Sequence, residues 1–232
     1  MIYRIPVHIR AIIFDLDNTL VDAKKAERIA ALKMLEENQE ILGPQDPEAF
    51  AARWHEITVR HYHLYEIGRI DQHEQRRRRM REIMGNDLLS DEQADHRYDG
   101  YRRHFEKHWI LYPDVLECLE RLGDYKKAVV SNGEKEQQLL KMSKLGLKKH
   151  FISSVFPGDT GTFKPDPGMF LKACGDLGTP PELCLSIGDN IEIDINPCRK
   201  LKMEALLIDR EKRAEYDGSF RIVSSLSDIR GQ

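Results

Sequence analysis

The sequence has few cysteines and no excess of charge of either sign. Four cysteines occur in 232 residues, and no two of them form a CxxC pair. Most of them lie in apolar stretches, so we expect reduced thiols in the core. The 36 basic and 39 acidic side chains leave a formal net charge of -3, which offers no broad cationic surface. We therefore expect no nucleic-acid partner.

Long apolar runs are also missing. No run approaches the roughly 20 residues that a membrane-spanning helix needs. The amino-terminal segment MIYRIPVHIRAIIFDLD places Arg4 and Arg10 among apolar residues, and it reaches acidic side chains too early for a signal peptide. We therefore expect no membrane partner and a cytoplasmic location.

Strand and helix patterns divide the chain into three stretches. The Ile-rich segment His8–Phe14 predicts a buried strand that ends at a carboxylate. Residues 21–112 are dense in Ala, Glu, Arg and Leu, which predicts a bundle of helices. After Pro113 short apolar runs alternate with helical stretches, which is typical of a doubly wound parallel sheet.

The order of these stretches predicts an α/β fold with an insertion. Because one strand precedes the helical block and the other strands follow it, the block is inserted in the sheet. We predict a core of residues 1–20 and 113–232 and an inserted α-helical subdomain of residues 21–112. The later strands carry the sequences KKAVVSN, HFISSVF, LCLSIGD and MEALLID, and the helices between them span about 134–145, 167–177 and 195–201.

Two carboxylates directly follow the first predicted strand. Asp15 and Asp17 lie two positions apart, and in an extended segment such side chains share one face. Both could therefore address one substrate atom. Taken alone, the pair is equally compatible with a polar turn that ends the strand.

Three further polar segments follow later predicted strands or begin the next helix. The segment Ser131–Gly133 can present a hydroxyl and backbone amides to an anion. The segment Lys164–Pro167 precedes a helix, and Gly188 with Asp189, followed by Asp194, adds two carboxylates. Each segment alone is compatible with a helix cap, an exposed lysine or a turn. The carboxyl ends of parallel strands surround a ligand crevice, which favours one shared site.

The segments DLDNTL, SNG, KPDP and GDNIEID, in this order, resemble the four motifs of the haloacid dehalogenase superfamily of hydrolases. The resemblance covers about residues 9–20 and 113–209 and does not extend in detail to the helical insert. It implies a core strand order of 5-4-1-2-3 and a helical cap after the first strand. Unlike many relatives, the chain has Pro197 shortly after the fourth motif, which suits a helix if it lies in the first turn.

The resemblance implies a role for each carboxylate. Asp15 would attack phosphorus and bind Mg²⁺, because a carboxylate can approach a phosphate dianion only when a cation offsets their repulsion. Asp17 would protonate the leaving oxygen and then deprotonate water, while its backbone carbonyl binds the metal. Asp189 would complete the protein's metal ligands. Asp194 would orient Lys164 or a water molecule on the metal.

The remaining motif residues would bind the phosphoryl group. By the same resemblance, Ser131 and the amide of Asn132 would hold phosphate oxygens. Lys164 would balance the charge that shifts during transfer. We therefore expect a catalytic set of Asp15, Asp17 and Lys164.

The aspartate at position 17 favours phosphate esters as substrates. Relatives that cleave carbon–halogen bonds or phosphonates lack it, because their leaving groups need no general acid. A cap of this size also favours a small phosphorylated metabolite as the substrate. A sugar phosphomutase of the same superfamily and a catalytically silent binding protein are the alternatives, and the oligomeric state stays open.

Two features of the insert have more than one interpretation. The basic run Arg76–Arg79, with Arg81, could clamp a second anionic group, but a solvated helix face is the preferred interpretation. His104 and His108 share the i, i+4 spacing of a zinc pair. They lack the HExxH order and a third ligand, so we expect ordinary packing or surface histidines.

Overall fold

The computed structural model describes residues 2–212, 218 and 220–231. The chain forms two compact units. One unit comprises Met1–Asp22 and Leu111–Gln232, and the other comprises Ala23–Ile110. Along the described part of the chain, no helix has both the length and the apolar character needed to cross a bilayer.

A parallel sheet forms the centre of the first unit. Within the described residues it has six strands in the order β4-β3-β2-β5-β6-β7. The strands of this sheet are β2 (Ala11–Phe14), β3 (Lys126–Val130), β4 (Ser153–Val155), β5 (Cys184–Gly188), β6 (Glu204–Ile208) and β7 (Arg221–Val223). A separate parallel pair joins β1 (Tyr3–Arg4) to β8 (Ile229–Arg230). The predicted fold class is confirmed. The predicted strands 1 to 5 are β2 to β6, so the predicted order 5-4-1-2-3 corresponds to β6-β5-β2-β3-β4 and is also confirmed. Strand β7 adds an edge strand beside β6.

The central strand β2 explains where the polar loops meet. All four of its residues, AIIF, are buried, because β2 pairs with β3 on one side and with β5 on the other. Phe14 lies beside Val129 in β3 and beside Ile187 in β5. The segments that follow these three strands therefore leave the sheet at the same edge.

Helices cover the sheet and include a local irregularity. The α-helices of this unit are α6 (Val115–Arg121), α7 (Lys135–Lys144), α8 (Pro157–Thr160), α9 (Pro167–Asp176) and α10 (Asn196–Lys200). Single 3₁₀ turns occur at Lys148–His150, Pro181–Leu183 and Leu226–Asp228. Ile191–Ile195 forms a turn of π-helix immediately before α10. Pro197 lies in the first turn of α10, where its missing N–H is not needed.

The second unit consists of helices packed around its own apolar core. They are α1 (Ala23–Glu37), α2 (Gln39–Leu42), α3 (Pro47–Glu66), α4 (Gln72–Met84) and α5 (Asp91–Lys107). Phe50, Trp54, Met80 and Tyr101 are among the buried residues of this core. Side-chain caps begin several of these helices, as Asp71 does by accepting a hydrogen bond from the amide of Glu74 at 2.8 Å.

The basic run on α4 is engaged within this unit. Arg77 donates to Asp91 and Asp95 at 2.6 Å each, and Arg78 donates to Glu74 at 2.6 Å. These three contacts are ordinary surface ion pairs, in agreement with the solvated-face interpretation.

Arg79 departs from that interpretation. Its side chain is buried, and its guanidinium lies 4.5 Å from the centre of the Trp54 ring and 5.4 Å from that of Tyr98. A solvated face was therefore wrong for this position, because the neighbouring aromatic rings stabilise a buried cation.

The two histidines on α5 contact protein groups. His104 Nε2 lies 2.6 Å from a carboxylate oxygen of Glu37, and His108 Nδ1 lies 2.7 Å from the carbonyl oxygen of His104. Among the residues that the structure describes, neither histidine belongs to a group of side chains that could hold a metal ion.

Candidate active site

Asp15 is the buried carboxylate directly beyond β2. Its backbone amide continues the sheet by donating to the carbonyl oxygen of Ile187 at 2.9 Å. Its Oδ1 accepts a hydrogen bond from Lys164 Nζ at 2.7 Å. Its Oδ2 is buried, and the described residues supply no hydrogen-bond donor to it. A buried carboxylate oxygen without a donor is costly unless another group binds there.

Lys164 is held by backbone as well as side-chain contacts. Its Nζ donates to Asp15 and, at 2.6 Å, to Oδ1 of Asp194. The side chain of Asn132 accepts from the amide of Lys164 at 2.6 Å and donates to its carbonyl oxygen at 3.0 Å. Asn132 therefore fixes the loop from which the lysine side chain reaches the two carboxylates.

Asp194 is positioned by a close approach of the backbone. Its Oδ2 accepts a hydrogen bond from the amide of Asn190 at 3.1 Å. A Cβ atom on Gly188 would lie 2.4 Å from Cγ of Asp194, so only glycine fits at the end of β5. Both oxygens of Asp194 thus accept hydrogen bonds, one of them from Lys164.

Burial and neighbouring charges shift the ionisation of this group. Burial raises the pKa of Asp15 to about 6, the charge of Asp194 adds to this increase, and Lys164 opposes it. Burial alone would lower the pKa of Lys164, but Asp15 and Asp194 outweigh burial and raise it. The lysine is therefore a permanent cation beside a carboxylate that is less acidic than usual.

Three carboxylates could together hold a metal ion. Within the described part of the chain, Asp15, Asp189 and Asp194 form a group whose ligand atoms all lie within 4.8 Å of one another. The donors are all oxygens, which suits a hard divalent cation such as Mg²⁺. The buried Oδ2 of Asp15, to which no described residue donates a hydrogen bond, fits the same interpretation.

Asp17 points its carboxylate to a different set of partners. Its Oδ1 accepts from Lys141 Nζ at 2.5 Å, and its Oδ2 accepts from Gln138 Nε2 at 2.6 Å. The side chain remains 29% exposed. Both oxygens are therefore held by the protein while the side chain stays partly exposed, and a carboxyl group in such a position can exchange a proton with a bound molecule.

Ser131 follows β3 and contacts α7, the helix that also carries Gln138 and Lys141. Its hydroxyl oxygen accepts from Gln138 Nε2 at 2.9 Å and from the amide of Gly133 at 3.2 Å. A Cβ atom on Gly133 would lie 1.9 Å from Gln138, so the glycine makes room for this contact. A glycine is therefore needed at this position of the SNG segment so that Gln138 can reach the Ser131 hydroxyl.

The sequence comparisons identify the family. The family model described as haloacid dehalogenase-like hydrolase matches residues 9–201. The chain belongs to this family of hydrolases. The match spans both units, whereas the resemblance of the motifs alone covered the core.

Curated relatives of this hydrolase are phosphatases. It is 32% identical over 108 residues to the glyceraldehyde 3-phosphate phosphatase of Methanopyrus kandleri, an alignment that covers 46% of each chain and so less than half of that relative. It is 25% identical over 192 residues to the N-acylneuraminate-9-phosphatase of Mus musculus, covering 81% of this chain and 77% of the relative. Family and relatives together support a phosphatase.

A solved structure shares the fold of this hydrolase. The structure of YfnB from Bacillus subtilis, which is described as a HAD-hydrolase bound to magnesium, superposes with a TM-score of 0.79 at 21% identity. The superposition covers 95% of this chain and 96% of YfnB. This likeness concerns the arrangement of helices and strands.

Two residues of this hydrolase site are not apparent from the sequence motifs. Gln138 and Lys141 lie on α7 and are among the buried residues of that helix, while Leu140 between them is 40% exposed. A helix that buries a glutamine and a lysine and exposes a leucine inverts the usual pattern. That inversion is the signal that could have identified them, once the buried face was known.

Proposed function

We propose that this hydrolase is a magnesium-dependent phosphatase that cleaves small phosphate monoesters through a phosphoryl group carried on Asp15. The observation that carries the proposal is the buried Asp15 with one oxygen on Lys164 and the other without a protein donor among the described residues. Such a carboxylate is oriented by the lysine and keeps one oxygen for a ligand or for attack.

The first chemical step would transfer the phosphoryl group to the protein. An oxygen of Asp15 forms a bond to phosphorus while the bond between phosphorus and the ester oxygen breaks. Asp17 gives its proton to the departing oxygen, so the product leaves as a neutral alcohol. A leaving alkoxide would otherwise carry a full negative charge, which makes this proton important for alkyl esters.

The second step would regenerate the carboxylate. Asp17, now ionised, takes a proton from water as the water oxygen attacks phosphorus. The bond between phosphorus and Asp15 breaks, and inorganic phosphate leaves. Splitting the hydrolysis in this way replaces one difficult displacement by two easier ones.

Lys164 and the polar loop residues would stabilise the phosphoryl group. Lys164 lies 2.7 Å from the attacking carboxylate, so its charge is available for the negative charge that moves onto the transferred group. Asp194 would keep the lysine in place through its 2.6 Å contact. We propose that Ser131 and the backbone amide of Asn132 bind phosphate oxygens.

The carboxylates of Asp15 and Asp189 and the backbone carbonyl of Asp17 would hold the Mg²⁺ ion. A bound Mg²⁺ would offset the repulsion between the carboxylate and the phosphate dianion. Asp194 is a weaker candidate for ligation, because both of its oxygens already accept hydrogen bonds.

The helical unit would supply substrate selection. We propose that Ala23–Ile110 acts as the cap that excludes water and discriminates among metabolites, as the resemblance implies. The named relatives act on a triose phosphate and on a sugar acid phosphate, so small phosphorylated metabolites form the first panel to test.

The decisive variant is Asp15→Asn, which keeps the shape of the side chain and removes the nucleophile. We expect Mg²⁺-dependent release of phosphate from p-nitrophenyl phosphate to fall at least about a thousandfold, or about 4 kcal/mol in the barrier. Asp176→Asn is the matched control, because Asp176 is a partly exposed carboxylate paired with Lys172 on α9. Unchanged turnover in Asp15→Asn would contradict the mechanism.

The same assay separates the alternatives. Incubation with a hexose 1-phosphate would yield an isomeric sugar phosphate from a phosphomutase and free phosphate from a phosphatase. A silent binding protein would yield neither product from any member of the panel.

A further inference from the structure

Helix α7 buries two polar side chains that the proposed chemistry has not used. Lys141 is 1% exposed and Gln138 is equally buried, although both lie on the first helix after the Ser131 loop. A buried lysine loses the hydration of its charge, so it requires a compensating partner. The carboxylate of Asp17 supplies one, at 2.5 Å.

The two side chains contact different oxygens of Asp17. Lys141 binds Oδ1, and Gln138 binds Oδ2. Two donors on two oxygens prevent the carboxylate from rotating about its last bond, because any rotation breaks at least one contact. The hydrogen bond from a charged donor is also the stronger type.

Gln138 connects Asp17 to a second loop. Its amide nitrogen has two hydrogens, and it lies within hydrogen-bond distance of Oδ2 of Asp17 and of the Ser131 hydroxyl. The loop after β2 and the loop after β3 are therefore linked through one amide. Gly133 leaves the space that this arrangement needs.

We propose that Lys141 and Gln138 are positioning residues that hold Asp17 in the orientation required for proton transfer to the leaving oxygen. The inference rests on the proposed function, in which Asp17 is the proton donor. Neither residue touches the substrate in this mechanism. Their effect is to keep the carboxylate in one orientation, so that less of the binding energy is needed to arrange it.

The test uses the leaving group as the readout. An aryl phosphate such as p-nitrophenyl phosphate releases a stable anion and needs little proton donation, whereas an alkyl phosphate such as glycerol 3-phosphate needs it. A general acid contributes about 10²–10⁴-fold. The ratio of kcat/KM for the aryl ester to that for the alkyl ester should therefore rise by up to this factor in Asp17→Asn.

Lys141→Met should raise the same ratio at least about tenfold, because the protonated carboxyl group of Asp17, once it is no longer held, donates its proton less effectively. Lys141→Arg keeps the charge and should restore most of the alkyl activity. Adding Lys141→Met to Asp17→Asn should have no further effect on the ratio, since the two changes remove one function.

Lys135→Met is the matched control on the same helix. Lys135 is partly exposed and pairs with Asp159 on the surface, so the ratio should equal that of the unmodified protein. If Lys141→Met does not fold, Gln138→Leu removes the other contact and should raise the ratio in the same direction.

The outcomes distinguish a failure of this inference from a failure of the proposed function on which it rests. If Lys141→Met lowers kcat/KM equally for both esters, the inference is overturned and Lys141 has only a structural role. The same holds for Gln138→Leu if that variant has to replace Lys141→Met. An unchanged ratio in Asp17→Asn would instead overturn the proposed role of Asp17 itself.

Discussion

Replacing Lys164 by methionine should remove the positive charge that lies between two buried carboxylates. Lys164, Asp15 and Asp194 are exposed by only 2%, 7% and 1%, so water does little to screen their charges. With the lysine present, this group carries one net negative charge. Without it, two carboxylates face each other with no cation between them, and each raises the other's cost of ionisation.

The expected loss is large because one partner of a buried ion pair is removed. Such changes cost about 3–5 kcal/mol, which is a substantial share of the roughly 5–15 kcal/mol by which a domain is stable. Asp194→Asn should cost less, because it leaves the pair of Lys164 with Asp15 intact and removes a neighbouring like charge. The double variant should therefore be more stable than Lys164→Met alone.

Urea unfolding in EDTA, followed by far-ultraviolet circular dichroism, measures these differences. Both tryptophans, Trp54 and Trp109, lie in the helical unit, so their fluorescence is a poor probe of the core. Lys172→Met removes an exposed ion pair and should change stability by less than about 1 kcal/mol. Turnover of Lys164→Met should fall about 10²–10³-fold, as for the loss of an electrostatic contact in the transition state.

The result that would refute this reasoning is specific. If Lys164→Met unfolds at the same urea concentration as the unmodified protein, charge balance does not determine the stability of the group. If adding Asp194→Asn destabilises Lys164→Met further, repulsion between the carboxylates is not the cause.

Two further predictions concern the packing and the pH response of the core. Gly188→Ala would place a Cβ atom 2.4 Å from Cγ of Asp194, so we expect the Asp194 side chain to be displaced and activity to be lost. Gly175→Ala is the control, because no atom lies within 4 Å of the Cβ that it adds. Despite its burial, Asp114 has a pKa below its usual value because Arg210 and Ser225 stabilise its ionised form. Its contribution to stability is therefore present above its unfolded pKa of about 3.9 and is lost as the pH falls through its folded pKa. In Asp114→Asn the free energy of unfolding should therefore fall less between about pH 5 and pH 2 than it does in the unmodified protein. An identical dependence on pH in the two proteins would contradict this assignment.

The alternation of strands and helices was readable from the sequence because it depends on local patterns. Apolar runs such as AIIF and KAVV predict buried parallel strands, and parallel strands place their following residues at one edge of the sheet. This is why the amino-acid order alone leads us to expect Asp15, Lys164 and Asp189 near one another. Pro197 lies in the first turn of α10, which meets the condition that its restricted backbone sets for a helix at this place.

Features without a local pattern could not be predicted. Strands β4 and β7 both have three residues, but β4 lies in the longer apolar run HFISSVF, whereas the RIV of β7 is followed by two serines and belongs to no such run. The π turn Ile191–Ile195 depends on how that segment packs against the sheet. Arg79 looked like its neighbours in a basic run, and only the packing of α4 against aromatic rings buries it.

The sequence alone therefore determined the five core strands and the polar residues at their ends, because both follow from local patterns. The resemblance of the motifs to a known family implied the order of those strands in the sheet. The tertiary structure decided which side chains orient those residues. Lys141 lies 124 positions from Asp17, and nothing near either residue predicts their contact. It exists because α7 turns a lysine and a glutamine inward and a leucine outward, a rotation set by the whole core.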